Sequence, residues 1–296
     1  MSIIVKKFGG TSVGDTTKIK NVAKRIVGTI EKGNQVVVAV SAMGGTTDKL
    51  VALAHEVSPS PLERELDMLL STGEQVSIAL LAMAVSELGY EAISLTGNQV
   101  GILTDGFYSN ARIVSINNQR IFDELKMGKV VILAGFQGVT IDGEITTLGR
   151  GASDTTAVAI AASLNADRCE IYTDVDGIYT ADPRIVKSAR KLDRITHDEM
   201  LEMAGLGAKV LHSRSVELAK KFQVPLMVRS SFHEGDGTII VKESEIMEQV
   251  VVSGVTSNKD QAKISLIGIE DKPGVAAEIF NIVAEQNINI DMIIQN

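Results

Sequence analysis

Short apolar runs alternate along most of this chain with segments whose apolar residues recur at helical spacing. The runs rich in β-branched residues are predicted as strands: Ile3–Val5, Gln35–Val40, Glu91–Leu95, Lys129–Ala134, Arg168–Thr173 and Pro225–Arg229. The segments with helical spacing are predicted as helices: Lys18–Glu31, Gly73–Leu88, Thr155–Leu164 and Ala208–Phe222. Several strands are apolar on both faces, as in parallel sheets that helices cover on both sides. The pattern therefore predicts an α/β domain with a mainly parallel central sheet.

The start of one further helix is marked by Thr196-His197-Asp198-Glu199. A threonine followed three residues later by a glutamate forms a capping box, in which each side chain binds the other residue's backbone N–H. We therefore predict a helix that begins after Thr196 and ends near Gly205.

The pattern changes after Val241, where the charged segment KESEIMEQ predicts a connector or a short helix. We expect a large domain at 1–241, a linker at 242–261 and a smaller unit at 262–296. The elements predicted in the smaller unit are a strand at Ala262–Ile269, a turn at Asp271–Gly274, a helix at Val275–Gln286 and a strand at Ile288–Ile294. Two strands make a poor independent domain and leave an exposed edge, so we expect a homo-oligomer.

Composition narrows the class of protein. With 45% hydrophobic and 22% charged residues, a chain of 296 residues can bury a sizeable core. The formal net charge of −8 argues against nucleic acid as a partner, because phosphate backbones require clustered Lys and Arg. The single cysteine, Cys169, excludes an intrachain disulfide. The N-terminus has no signal-peptide core and no apolar run is long enough to span a bilayer, so we expect a cytoplasmic protein without a membrane partner.

The candidate chemistry lies in loops that follow predicted strands, where open α/β sheets bind their ligands. The first strand continues into KKFGGTS, in which Gly9 and Gly10 permit close approach to a phosphate and Lys7 adds a positive charge. An ordinary tight turn is the alternative explanation of the two glycines. The second strand ends in SAMGGTTD, residues 41–48, whose hydroxyl groups suit either a ligand or the cap of the next helix.

Two charged residues in later motifs are candidates for binding an amino acid. Glu74, in STGE before an apolar helix, is either part of a helix cap favoured by the helix dipole or a partner for a substrate ammonium group. Arg150, in the glycine loop of TTLGRGASDTTA, suits bidentate recognition of a carboxylate. In the same motif, Ser153 or Asp154 is an equal candidate for capping the following helix.

The positions of the histidines bear on the type of reaction. His55, His197, His212 and His233 lie outside all of these motifs. A kinase acting on a hydroxyl benefits from a base, whereas a carboxylate acceptor, with a pKa of about 4, is already ionised at neutral pH. Loops that supply lysine, arginine and glycine amides, and no histidine, therefore suit phosphoryl transfer to a carboxylate.

Together, KKFGGTS, SAMGGTTD, STGE, TTLGRGASDTTA and TDVDGIYTADPR resemble the aspartokinase branch of the amino-acid kinase family. Their order and approximate spacing match across residues 1–241, which the resemblance identifies as the catalytic domain. It implies a three-layer αβα sandwich that uses ATP and Mg²⁺ and takes L-aspartate as the acceptor. The implied reaction is phosphorylation of the aspartate side-chain carboxylate to 4-phospho-L-aspartate, the first step of lysine, threonine and methionine biosynthesis.

The resemblance also implies roles for individual residues. Lys7 and Asp154 would be catalytic: Lys7 would stabilise the transferred phosphoryl group, and Asp154 would hold the α-amino group of aspartate together with Glu74. Arg150 would bind the α-carboxylate. Further contacts to aspartate are implied for Ser41, Thr47, Gly151 and Ser153, and contacts to ATP for Lys7, Gly9, Gly10, Thr173, Asp174, Tyr179, Arg184 and Lys209. Mg²⁺ would be held mainly by the phosphates, so we predict no metal ligand from the protein.

Two positions depart from the family pattern. Ala152 stands where a second glycine is expected after Arg150, and its methyl group is either tolerated or crowds the γ-phosphate. Ser213 stands where proline is often found, a change that affects loop stiffness more than chemistry.

The segment AKISLIGIEDKPGVAAEIFNIVAEQNINIDMIIQN resembles the start of an ACT regulatory domain. Such domains follow a βαββαβ pattern, of which the sequence contains the first βαβ. In complete enzymes of this family they bind the end products lysine or threonine and inhibit the kinase. Residues near the Asp271–Gly274 turn and around Ile290–Asn296 would contribute to that effector site. We therefore expect a truncated regulatory domain with weak or absent feedback inhibition.

Two other functions stay open on the sequence. A kinase of the same fold could act on N-acetylglutamate, glutamate, carbamate or a nucleoside monophosphate. A non-catalytic amino-acid sensor on the same scaffold would bind its ligand without turnover, although Lys7, Arg150 and Asp154 are all present. The SAMG and STGE motifs, with the ACT-like segment, favour aspartate.

Overall fold

Twelve strands and nine helices, together with one 3₁₀ turn, make up the described part of the protein in a computed structural model. The structure describes residues 1–208, 210–243, 252–257, 262–269, 272–285, 290 and 293–294. Contacts divide the chain into two units, Met1–Ser257 and Asn258–Asn296. The predicted boundaries at 241 and 261 stay a prediction.

The elements follow one another in the order strand, helix, strand over much of the first unit. The strands are β1 Ile3–Phe8, β2 Gln35–Val40, β3 Ala92–Leu95, β4 Ile102–Thr104, β5 Ile113–Ile116, β6 Val130–Ala134, β7 Gln137–Val139, β8 Ile145–Thr147, β9 Arg168–Thr173, β10 Arg194–Thr196, β11 Leu226–Ser230 and β12 Thr238–Val241. The helices are α1 Thr16–Ile30, α2 Thr46–Val57, α3 Glu63–Glu87, α4 Gly97–Val100, α5 Gln119–Lys126, α6 Ser153–Leu164, α7 His197–Gly205, α8 Ser213–Phe222 and, in the second unit, α9 Val275–Glu285. The 3₁₀ turn is Gly10–Val13.

The central sheet has eight strands in the order β10-β12-β11-β9-β1-β2-β6-β3. Every neighbouring pair in it is parallel except β11 and β12, which are antiparallel. The prediction of a mainly parallel sheet is therefore confirmed. In particular, β1 lies between β2 and β9, so the loops that follow these three strands meet at one edge of the sheet.

Both faces of the sheet are covered by helices, which confirms the three-layer αβα arrangement. Strand β2 shows how alternation sorts its side chains between the layers. Val36, Val38 and Val40 pack with apolar residues of α1 and α3, whereas Val37 and Ala39 pack with residues of α6 and α8. A strand of this kind is apolar throughout because neither of its faces meets water.

The predicted helix bounds differ most from the structure at α3, which begins at Glu63 instead of Gly73. Ser71, Thr72 and Glu74 consequently lie inside the helix, and the interpretation of STGE as an N-terminal cap was wrong. Its first turns were missed because they carry charged residues, including Glu65 and the fully buried Asp67. Helix α8 likewise begins at Ser213 and not at Ala208.

A second, four-stranded sheet in the order β5-β4-β7-β8 was not predicted. Its strands span only three or four residues each, too short for an alternating pattern to stand out from a loop. Strand β8 ends at Thr147, immediately before the segment that carries Arg150. This small sheet therefore supports one of the loops of interest.

Helix α3 is the one described helix that is long and apolar enough to cross a membrane by length and composition. Of its most apolar window, 44% is buried inside the protein. Ile78, Leu81 and Val85 pack with α1 and the central sheet. The hydrophobic core thus accounts for the apolar composition of this helix.

The predicted capping box at α7 is confirmed. The Thr196 hydroxyl accepts the N–H of Glu199 at 3.1 Å, and the Glu199 carboxylate accepts the N–H of Thr196 at 2.8 Å. We expect Thr196→Ala to lower the free energy of unfolding by about 1 kcal/mol, measured by urea denaturation, because the first turn loses its cap. Thr72→Ala is the matched control: Thr72 is exposed inside α3, so its effect should stay within about 0.5 kcal/mol. Equal effects of the two substitutions would contradict the cap.

In the second unit, the predicted helix is confirmed over Val275–Glu285. The predicted strand at Ala262–Ile269 was wrong, since these residues form no strand. A strand requires hydrogen bonds to a neighbour, and the segment predicted to pair with it, Ile288–Ile294, is described only at residues 290 and 293–294, which are not in a strand either. The rest of that segment, like Asp271 of the predicted turn, lies outside the described residues.

Candidate active site

Two adjacent lysines in β1 point to opposite faces of the sheet. Lys6 is buried on the α1 side, where its Nζ lies 2.9 Å from Glu170 Oε2. Lys7 points to the α6 side, where its Nζ lies 2.7 Å from Asp154 Oδ1. The side chains of Lys7 and Asp154 are 12% and 8% exposed, so this pair is largely shielded from water but still reachable. The structure therefore brings together the two residues that the sequence predicts as catalytic.

The two glycines after β1 are required by close packing at this point. A Cβ on Gly10 would lie 2.8 Å from the carbonyl oxygen of Ala42, so no side chain fits there. A Cβ on Gly9 would come within 3.3 Å of Lys7 Nζ. The bare Gly9 backbone thus leaves the Lys7 ammonium group open on that side, and the residues present fit a phosphate group placed against Lys7.

Glu74 reaches the same edge of the sheet from inside α3. Its Oε1 accepts the N–H of Ala42 at 3.0 Å, and its Oε2 is buried without a hydrogen-bond partner among the described residues. The helix can approach this closely because Gly73 has no side chain. A Cβ there would lie only 2.9 Å from the Ala42 side chain, too close for the two to coexist. Burial raises the pKa of Glu74 to about 7, although the N–H of Ala42 acts in the opposite direction. Glu74 therefore has one oxygen that lacks a donor.

Arg150 contacts the start of α2. Its guanidinium is exposed and lies 3.2 Å from Asp48 Oδ1 in α2, next to Thr47. Ser41 directly follows β2, and its N–H donates to the Phe8 carbonyl of β1 at 3.1 Å. Ser41 thus lies at the end of β1, and Arg150 lies against the first turn of α2, which carries Thr47.

Neither Ser153 nor Asp154 is the N-cap residue of α6, so the prediction that one of them caps this helix was wrong. The N-cap position is Ala152, and among the described residues no side-chain cap hydrogen bond forms there. Ser153 is buried against Gly135, where a Cβ would lie 2.8 Å from the serine oxygen. The methyl group of Ala152 is fully buried in an apolar cluster with Leu148 and Phe136.

His212 was wrongly set apart from the motifs, because the fold brings it to the loop of Arg150. Its backbone N–H donates to Asp154 Oδ2 at 3.3 Å, and its ring lies 3.2 Å from where a Cβ on Gly151 would be. Burial lowers the pKa of His212, so the ring is neutral at neutral pH. Its Nδ1 is buried without a partner in the part of the chain that the structure describes. His212 and the Arg150 loop are far apart in the sequence, so the sequence alone gave no sign that they lie close together.

The residues predicted to contact ATP follow β9, the strand beside β1. Thr173 ends the strand and its hydroxyl donates to Asp174 Oδ1 at 3.2 Å. Tyr179 donates to Asp176 at 2.8 Å, which together with burial raises the pKa of its hydroxyl. Arg184 pairs with Asp182 at 3.0 Å and is mostly exposed. Lys209 lies outside the described residues, so its predicted contact stays a prediction.

Two further charged residues, which bind the segment just before Arg150, were not predicted. Asp67 of α3 is fully buried and binds the end of β8, and Arg214 of α8 binds the carbonyl of Leu148 at 2.6 Å. The sequence offered one signal that Asp67 has a structural role: it is a carboxylate in an apolar helix, seven residues before Glu74. Within the described residues, no group of three or more His, Cys, Asp or Glu side chains is placed to hold a metal ion.

Comparison with known proteins adds independent findings. The model of the amino acid kinase family matches residues 2–230, and that of the ACT domain matches residues 264–296. The chain is 55% identical over 297 residues to aspartate kinase Ask_LysC of Stutzerimonas stutzeri, covering 100% of this chain and 72% of that protein. It is 56% identical over 296 residues to an aspartokinase of Geobacillus stearothermophilus, covering 100% of this chain and 73% of that one.

Solved structures agree with these relatives. An aspartate kinase from Synechocystis superposes with a TM-score of 0.74 at 48% identity, over 99% of this chain and 50% of that chain. Aspartokinase III of E. coli, solved with aspartate and ADP in its R-state, gives a TM-score of 0.81 at 27% identity, over 99% of this chain and 76% of that chain. The same E. coli enzyme, solved with lysine and aspartate in its T-state, gives 0.76 at 27% identity, over 99% of this chain and 77% of that chain.

Proposed function

Because this chain belongs to the amino acid kinase family and its relatives are aspartate kinases, we infer that it is itself an aspartate kinase. It transfers a phosphoryl group from ATP to the side-chain carboxylate of L-aspartate, which yields 4-phospho-L-aspartate. The observation that carries the site assignment is the Lys7–Asp154 pair, 2.7 Å apart. Glu74, inside α3, and Arg150, in its glycine loop, both contact residues 42–48, which follow β2. A kinase for N-acetylglutamate or glutamate, and a non-catalytic sensor, are not favoured.

Lys7 is the residue we assign to the transferred group. When bound, ATP supplies the γ-phosphoryl group, and Mg²⁺ on its phosphates neutralises part of their charge. Lys7 Nζ stabilises the negative charge that develops on that group, and the open side of Gly9 gives it access. Asp154 keeps the ammonium group in place through the 2.7 Å contact. This geometry favours a role in positioning Lys7 over the α-amino contact implied by the family resemblance.

Glu74 and Arg150 are the residues we assign to the two ends of the amino acid backbone. The unpaired Glu74 Oε2 suits the α-ammonium group, which would supply the missing hydrogen-bond donor. The exposed Arg150 guanidinium suits the α-carboxylate, which would replace Asp48 as its partner. Ser41, Thr47, Gly151 and Ser153 complete the proposed pocket. The acceptor carboxylate needs no protein base, since it is ionised at neutral pH.

The nucleotide is proposed to lie along the end of β9. Thr173, Asp174, Tyr179 and Arg184, together with Gly9 and Gly10, are the proposed contacts, and Lys209 is added on its motif alone. The ADP complex of E. coli aspartokinase III supports nucleotide binding in this fold. Mg²⁺ is proposed to bind through the phosphates.

The ACT segment is proposed to take lysine or threonine as effectors. The lysine complex of E. coli aspartokinase III supports an amino-acid effector in this family. We also propose that the protein is a homo-oligomer and that it works in the cytoplasm, as expected of a biosynthetic enzyme.

The raised pKa of Glu74 predicts a pH dependence of aspartate binding. Because the pKa is about 7, above the ordinary 4.5, the group is protonated below pH 7 in the free enzyme and cannot pair with an ammonium group. We expect kcat/KM for aspartate to fall about tenfold per pH unit below pH 7. Glu74→Gln should abolish this inflection. A flat wild-type profile between about pH 5.5 and 8 would contradict the assignment.

The same shift has a consequence for stability. Burial favours the protonated form of Glu74 over the carboxylate. The stability that this preference contributes to the folded state is therefore fully present below pH 4.5, and it is lost as the pH rises through about 7. Bound aspartate should offset this loss at neutral pH.

The proposed reaction is tested by incubating the chain with Mg-ATP and separate acceptors and trapping any acyl phosphate with hydroxylamine. A hydroxamate with L-aspartate, and little with glutamate or N-acetylglutamate, is the expected result. Signal with another acceptor only would move the chain to a different branch of the family. Binding of aspartate without any hydroxamate, from folded protein, would support the sensor.

A further inference from the structure

The segment that carries Arg150 has little to hold it in place by itself. Gly149 and Gly151 flank the arginine, with φ angles of +89° and +77°, and the arginine side chain is 75% exposed. A guanidinium on such a loop can bind a carboxylate with defined geometry only if other residues fix the backbone. Two charged side chains from different helices, Asp67 and Arg214, do this.

Asp67 holds the segment from the α3 side. Its Oδ2 accepts the backbone N–H of Thr147 at 2.8 Å and that of Ser109 at 2.9 Å. Its Oδ1 accepts the Thr147 hydroxyl at 2.7 Å and the Ser109 hydroxyl at 3.4 Å. Asp67 is fully buried, and no lysine or arginine is paired with it within the described residues. Within the described residues, these four donors are the hydrogen-bond partners of the buried Asp67 carboxylate.

Arg214 holds the segment from the α8 side. Its guanidinium donates to the Leu148 carbonyl at 2.6 Å and to the Ala111 carbonyl at 3.0 Å. It also donates to Asn110 Oδ1 at 3.4 Å, the atom that lies 3.0 Å from where a Cβ on Gly149 would be. Arg214 and Asp67 therefore bind adjacent residues, Leu148 and Thr147, and both also bind the loop at 109–111 that packs beside them.

The helix that carries Asp67 also carries Glu74. The two residues are seven positions apart in α3, close to two turns of 3.6 residues, so they lie on the same face. Thr147, which Asp67 binds, precedes Arg150 by three residues. One rigid helix thus fixes both the group proposed for the α-ammonium of the substrate and, through Asp67, the loop proposed for its α-carboxylate.

We propose that Asp67 and Arg214 are positioning residues for aspartate: they hold the Arg150 loop in place relative to Glu74 and Lys7. They thereby set how far the substrate α-carbon lies from the phosphoryl group at Lys7, and so the length of side chain that the site accepts. This inference rests on the proposed function, in which Glu74 and Arg150 bind the two ends of the substrate backbone. Neither residue touches substrate.

The test is Asp67→Asn in the full 296-residue chain. An amide has the same shape but offers one acceptor oxygen, so it cannot serve both pairs of donors. We expect KM for aspartate to rise about five- to tenfold, since hydrogen bonds to a charged group are lost and the loop shifts. The expected kcat at saturating aspartate and KM for ATP stay within about twofold, and activity with glutamate relative to aspartate rises.

Arg214→Lys is the second variant, and it carries the test if Asp67→Asn does not fold. Lysine keeps the charge but cannot donate to the Leu148 and Ala111 carbonyls from one planar group, so KM for aspartate should rise in the same way. Glu124→Gln is the matched control, because Glu124 is a buried carboxylate paired with Lys129 at 2.9 Å, in α5. It should alter stability and leave both KM values unchanged.

A double substitution separates positioning from general damage. In an Arg150→Ala background, Asp67→Asn should raise KM for aspartate no further, because its effect passes through Arg150. An equal rise in both backgrounds, or equal rises in KM for aspartate and for ATP, would overturn the inference. Unchanged KM in Asp67→Asn and Arg214→Lys would overturn it as well. No hydroxamate from the wild-type chain with aspartate would instead overturn the proposed function.

Discussion

Replacing Lys7 with alanine should lower kcat for aspartate phosphorylation by about 10²- to 10³-fold, the loss typical of one preorganised group that stabilises charge in a transition state. Lys7 Nζ is the cation that the structure places at the open side of Gly9, and Asp154 holds it there. KM for aspartate should change much less, because Glu74 and Arg150 are untouched. Steady-state kinetics on protein whose folded fraction has been measured by circular dichroism gives both parameters.

Lys6→Met provides a matched control for Lys7→Ala. The two lysines are adjacent in β1, but Lys6 faces the opposite side and pairs with Glu170 at 2.9 Å. Its loss should lower the free energy of unfolding and leave kcat of the folded enzyme nearly unchanged. The role assigned to Lys7 fails if Lys7→Ala retains more than about a tenth of wild-type kcat, or if the two variants lose kcat equally.

Arg150→Ala should raise KM for aspartate by about 100-fold, because two charge-assisted hydrogen bonds to one carboxylate are lost together. KM for ATP should be unaffected. Arg150→Lys should recover only part of the loss, since an ammonium group cannot present the planar pair of N–H donors. Initial rates over a wide range of aspartate concentrations separate KM from kcat.

The control for Arg150 is its partner in the ligand-free protein. Asp48 lies 3.2 Å from the guanidinium, and both side chains are exposed. Asp48→Ala should leave KM for aspartate unchanged or lower it, because a competitor for Arg150 is removed. A rise comparable to that of Arg150→Ala would mean that the ion pair, and not the arginine alone, is what aspartate binding requires.

The central sheet could be predicted because its strands are unusually clear. Gln35–Val40 is apolar on both faces and was predicted with the bounds that the structure shows. The strands of the small sheet could not, since segments of three or four residues such as Ile145–Thr147 carry too short a pattern. The predicted start of α3 was too late because charged first turns conceal a helix whose buried face includes Asp67.

The sequence predicted which residues form the candidate site, but not how they contact one another. Lys7 and Asp154 were both named, but their ion pair joins positions 147 residues apart and has no local signature. His212 and Arg214 were missed for the same reason, since each contacts the Arg150 loop across more than 50 residues of sequence. Motifs identify side chains that carry chemistry, whereas the groups that hold them depend on tertiary contacts.

The two lysines of β1 have a further consequence for how the strand is aligned. A strand that slips by one residue turns every side chain to the other face, and charged residues usually penalise such a slip. Here a slip would replace Lys7 by Lys6 and still deliver an ammonium group to Asp154. Asp154 therefore cannot distinguish the two alignments by itself. Glu170 can, because Val5 would take the place of Lys6 and the buried Glu170 carboxylate would lose that ammonium group. The slip is also opposed by Val5 and Phe8, which are fully buried in different clusters on opposite faces, and by Gly10, whose place admits no side chain. In this strand, the Lys6–Glu170 ion pair and the apolar packing together determine which lysine faces Asp154.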